Sequence, residues 1–74
     1  MNIYDLAGSN GKAKVIHTEK GEYLVSYNTI VLFTSKAGRR YRTWTEWSQT
    51  TGRHIKAYCG LNKAEYEALK YKEV

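Results

Sequence analysis

The side-chain pattern of this chain changes period once, at Ser48. Upstream of it, runs of β-forming residues are cut by short, glycine-bearing connections; downstream, apolar residues recur at helical spacing. A single switch of this kind places strands first and helices after, the order of an α+β fold. Both tryptophans, Trp44 and Trp47, stand just before the switch, and Thr50, Thr51 and His54 follow within two helical turns. The junction is therefore a polar cluster set among aromatic rings.

Before the switch, Lys14–Thr18 reads as a strand, and Glu19-Lys20-Gly21-Glu22 as a hairpin connection. Glu22–Tyr27 follows as a second β run, Asn28-Thr29 marks a break or bulge, and Ile30–Thr34 resumes as the central, most buried strand. A second turn at Lys36-Ala37-Gly38-Arg39 leads into Arg40–Trp47, whose alternation sets Arg40, Arg42, Trp44 and Glu46 on one face. After the switch, Ser48 caps a helix with an Ile55, Tyr58, Cys59 stripe, and Gly60 stops it. Asn62 and Glu65 form the capping box of a second helix, with Leu61 ahead of it and Tyr66 and Leu69 on its apolar side. The expectation is one small domain, residues 1–74. It is α+β, an antiparallel β-meander of three or four strands followed by two short C-terminal helices, with residues 1–12 read as flexible.

Seventy-four residues bury little. A chain of this size hides only about 60% of its unfolded surface, so association of copies into a homo-oligomer is a second route to stability. The single cysteine, Cys59, excludes an internal disulfide and leaves too few thiols for a structural zinc site, which fits a reducing compartment. The longest apolar run, Ile30–Phe33, is far short of the roughly 20 residues a membrane span needs. The first residues carry no basic and apolar segments of a secretion signal. Net charge is +5, with a pI near 9.4, which favours polyanions, although an ordinary solvated surface also reads this way. Seven tyrosines point to a binding surface, since the ring gives large contact area with few rotatable bonds. A core too small for much phenylalanine and leucine would use them as well.

Two stretches carry a family likeness: Leu24-Val25-Ser26-Tyr27-Asn28-Thr29-Ile30-Val31 and Trp47-Ser48-Gln49-Thr50-Thr51-Gly52-Arg53-His54-Ile55. They resemble a family of small uncharacterised proteins of phages and prophages that carry Ser-Tyr-x-Thr and then aromatic-Ser-x-Thr-Thr-x-x-His. The matching positions are Ser26, Tyr27, Thr29, Ser48, Thr50, Thr51 and His54, with Trp47 where the family more often has tyrosine. The resemblance implies a phage-type accessory protein working in the cytoplasm of the bacterial host. It brings no activity with it.

His54 shares a helix face with Thr50 and Thr51, which suggests a base acting on a hydroxyl. Such chemistry needs an orienting acid, and no motif places Glu46 or Glu65 there. The preferred reading is structural: Ser26, Tyr27, Thr29, Ser48, Thr50, Thr51 and His54 tie the strand break to the helix through hydrogen bonds. Neither a metal nor a cofactor is expected, because His17, His54 and Cys59 show no paired ligand spacing. The densest basic run, Lys36, Arg39, Arg40, Tyr41, Arg42 and Trp44, is the candidate binding surface, able to clamp phosphates and stack on bases. Charge on an edge strand also guards against sheet-to-sheet aggregation.

With no nucleophile–base–acid set, the chain is read as non-catalytic. The expected function is binding to a host protein or ribonucleoprotein complex and inhibiting or redirecting it, an anti-defence inhibitor of a CRISPR-type effector being one candidate. The alternative is a small basic DNA- or RNA-binding protein using the Arg39–Trp44 hairpin. Basic charge argues against mimicry of nucleic acid, which calls for an acidic surface. No membrane partner is expected.

Overall fold

The computed structural model describes residues 1–74. Five strands, β1 (Asn2–Asp5), β2 (Ala13–Thr18), β3 (Gly21–Ser26), β4 (Thr29–Ser35) and β5 (Arg40–Arg42), pair antiparallel in chain order. Two helices follow, α1 (Gln49–Cys59) and α2 (Lys63–Glu67). The meander and the helices are those the sequence calls for. The fifth strand is β1, from a stretch expected to hold no element; it pairs with β2 from Asn2 opposite His17 to Asp5 opposite Lys14.

The break at residues 28 and 29 is a hairpin: Ser26 faces Thr29 across a two-residue turn of Tyr27 and Asn28. A bulge follows at once. Leu24 faces Leu32 while Val25 faces Ile30, so Val31 is an extra residue, and Val31 and Leu32 both turn inward. β4 holds three buried apolar residues, Val31, Leu32 and Phe33, but the central strand of the sheet is β3.

Both helices cover one face of the sheet. Val15, Leu24, Val31 and Leu32 from the strands meet Ile55 of α1 and Tyr66 of α2 there. Ser48 starts α1 by accepting from the Thr51 N–H at 3.1 Å, and Gly60 ends it in the left-handed region at φ 80°. Gly52 lets the helix lie flat on the Trp47 indole, since a Cβ there would fall 2.3 Å from the ring. Asn62 and Glu65 close the capping box of α2 with bonds of 2.8 and 3.0 Å, fixing Tyr66 so that its hydroxyl donates to the Val31 carbonyl at 2.7 Å.

The strand expected through Trp47 stops at Arg42. The bulge removes the next partner positions on β4, and Thr43 bonds the Val31 and Ile30 carbonyls instead. Trp44 and Trp47 then both pack against the core rather than on opposite faces. The C-terminal segment returns to the outer side of β5: Arg42 N–H donates to the Lys70 carbonyl and Lys72 N–H to the Arg42 carbonyl, with a parallel bridge from Arg42 to Tyr71. No helix is long and apolar enough to cross a membrane.

Candidate functional site

Ser26 is the last residue of β3 and, like Leu24 two residues before it, points to the helix side. There its hydroxyl lies 2.9 Å from Thr51 Oγ1 and 2.8 Å from His54 Nδ1, both one turn apart on α1. All three are buried, and a run of hydroxyls and one ring nitrogen leaves none of these atoms stranded. Burial, and then the charge of Lys12, hold the His54 pKa below its ordinary 6.5, so the neutral ring is favoured. Ser48 belongs to the cluster as the helix cap, and the Tyr27 ring packs on the imidazole with centroids 5.8 Å apart. Thr29 and Thr50 lie outside it, exposed and without side-chain hydrogen bonds.

The basic hairpin divides. Lys36, Arg39 and Arg40 are exposed at and beside the β4–β5 turn. Arg42 is occupied structurally: its Nε donates to the Leu69 carbonyl at 3.1 Å, and its guanidinium lies 5.6 Å from the Tyr71 ring centre. Trp44 packs against the core, and its carbonyl accepts from the Tyr66 hydroxyl. Tyr41 faces away from the helices, stacked on Phe33 at 6.1 Å.

Two surfaces meet at this hairpin. On the helix side, the in-register positions His17, Glu22, Thr34 and Arg40 line a cleft of about 610 Å³ together with Lys36 and Tyr58. The Glu22 carboxylate is engaged at both oxygens, by the Tyr58 hydroxyl at 2.5 Å and His17 Nδ1 at 3.3 Å. Burial and that bond push the Tyr58 pKa up to about 12. The opposite face carries a cross-strand row over all five strands: Ile3, Ile16, Tyr23, Phe33 and Tyr41. Tyr23 and Phe33 meet at 4.9 Å, and the Lys72 ammonium sits 5.9 and 5.8 Å from the Phe33 and Tyr41 ring centres.

Of this row the sequence marks Tyr41 alone as a binding residue; Ile3, Ile16, Tyr23 and Phe33 join it through strand register. Pairing the two hairpins in register from their turns would have aligned Tyr23, Phe33 and Tyr41; nothing local marked Ile3. His17, His54 and Cys59 stand apart in the fold, and no three His, Cys, Asp or Glu side chains converge.

The chain belongs to a family of unknown function (DUF8033), whose profile matches residues 4–74. No curated protein and no solved structure matches it.

Proposed function

We propose that this member of a family of unknown function is a small, non-catalytic binding protein of phage type that docks on a host macromolecule and inhibits or redirects it. The reading places it in the bacterial cytoplasm, with a defence complex of the CRISPR kind as a candidate target. One observation carries the proposal. The row Ile3, Ile16, Tyr23, Phe33 and Tyr41 crosses the full sheet on the face that neither helix covers. Ile3 is 59% exposed, and Ile16, Tyr23 and Tyr41 are part-exposed around a Phe33 ring that they and Lys72 shield. A small domain gains nothing in folding from leaving such a band in water. Aromatic residues flanked by cations form the kind of patch from which a few side chains supply most of an interface's affinity.

The test is recovery of a partner from nuclease-treated host lysate on tagged protein. Near-stoichiometric capture of one host protein, lost on Ile16→Glu and Tyr41→Ala at unchanged melting temperature, is the expected result. Equal capture by wild type and both variants removes this face from the function.

The nucleic-acid reading has its own observation in the Lys72 ammonium over Phe33 and Tyr41, with Lys20 beside the same aromatic face. Rings that stack on bases and ammonium groups that meet phosphates suit a single strand. It requires binding to DNA or RNA that weakens steeply with salt, with a flatter slope when Lys20 and Lys72 are neutralised together.

A further inference from the structure

A second concave site lies away from the open face, where the Ala7–Lys12 loop, the Tyr27-Asn28 turn and α1 meet in a groove of about 220 Å³. Asn10 and Tyr27, at φ 56° and 57°, are the only non-glycine residues with positive φ, and both line it. The two-residue hairpin turn calls for positive φ at Tyr27, and asparagine tolerates it at Asn10, so both fix the rim of the groove through backbone geometry. The loop is held firmly. Buried Ser9 donates to the Leu6 carbonyl at 2.7 Å and accepts from the Ala13 N–H, and Tyr27 N–H donates to the Lys12 carbonyl at 2.7 Å.

The charges in the groove are one-sided. Lys12 and Arg53 line it, no Asp or Glu does, and neither cation has an ion-pair partner. His54 forms part of the wall with only 7% of its surface exposed. Its Nδ1 is taken by Ser26; Nε2 has no protein partner, yet it is not sealed from solvent. The Thr51–Ser26–His54 chain can run so that Nδ1 accepts from Ser26 and Nε2 carries the proton. The ring then offers an N–H outward.

We propose that this groove binds a phosphate group, with Lys12 and Arg53 supplying charge and the Asn10 amide and His54 Nε2–H acting as neutral donors. Several donors with no competing carboxylate suit a tetrahedral anion, and arginine's fork favours phosphate. The volume is below the roughly 300–1,000 Å³ of sites that enclose drug-sized ligands, so the groove admits the anion and a few attached atoms. The larger cleft beside Lys36 and Arg40 is a weaker anion site because the Glu22 carboxylate lies within it. This inference is independent of the open-face reading, since the two surfaces share no residue.

The experiment is an NMR titration of the labelled full chain with inorganic phosphate, at ionic strength held constant with chloride. Saturable shifts confined to Asn10, Lys12, Tyr27, Arg53 and His54 are expected. Arg53→Gln and Lys12→Gln, both at exposed positions, should each weaken binding by about five-fold or more at unchanged melting temperature. Lys63→Gln, the same charge change on α2, should leave binding as it was. Adenosine monophosphate and an oligonucleotide with or without a 5′-phosphate identify the source: the tightest of the phosphate-bearing probes names the carrier. Absence of saturable shifts with every probe, or shifts that Arg53→Gln and Lys12→Gln leave unaltered, overturns the proposal.

Discussion

Removing the His54 imidazole leaves the buried Ser26 hydroxyl with one partner fewer, Thr51 alone. His54→Ala should therefore lower stability by about 1–3 kcal/mol, read from chemical denaturation. The same residue sets an acid limit. Its folded pKa lies below 6.5, so between the two values the unfolded chain holds the extra proton. Its contribution is complete above pH 6.5 and is lost as pH falls through that value towards the folded pKa. Denaturation midpoints compared at neutral and mildly acidic pH should show a loss that is smaller in His54→Gln, which keeps a polar partner without titrating. Gly52 sets two effects in opposition. Alanine in a helix gains roughly 1 kcal/mol over glycine, but a Cβ at 2.3 Å from the Trp47 ring forces the indole to move, at about 1–3 kcal/mol. The clash should win, and Gly52→Ala should melt at lower temperature with altered tryptophan fluorescence.

Among the elements, β5 is the one most dependent on its neighbours. Three residues make a weak strand, and the C-terminal segment bonds it at Arg42 while Lys72 covers Phe33 and Tyr41. Deleting residues 70–74 should lower the melting temperature by several degrees and yield a species that self-associates in size-exclusion chromatography, because a freed strand edge recruits another. Most elements are legible from local pattern. The β-branched content of Lys14–Thr18 and Ile30–Thr34, the caps at Ser48 and Asn62, and the stop at Gly60 each state their own structure. β1 does not, because all four of its residues are exposed and show no apolar alternation to read; backbone pairing with β2, the Asp5–Lys14 ion pair at 2.7 Å and the Ile3–Ile16 cross-strand pair hold it. The end of β5 is hidden for a different reason: a bulge at Val31 on another strand decides it. Of the candidate site residues, Ser26, Thr51 and His54 meet across 25 to 28 positions of chain, which their motifs suggest. The open-face row and the groove arise only from register and loop closure, to which single residues give no clue.

At the scale of the molecule, every strand pairs with its neighbour in sequence and the chain has no proline. Loops between paired strands are then short, and the slow isomerisation of X–Pro bonds has nothing to act on. Refolding should follow a single exponential within milliseconds to about a second, with no phase lasting tens of seconds. A slow phase that quickens with protein concentration would mean that folding and association are coupled. The two margins of the sheet also differ. The C-terminal segment occupies β5 at Arg42, while the outer side of β1 meets no further strand. The hydrogen-bond ladder is thus polar: any extended segment, from a partner or a second copy, has one margin on which to continue it. That margin holds Ile3, the outermost member of the apolar row. A strand added there would lengthen the row by one residue, so that growth of the backbone ladder and growth of the apolar face are the same event.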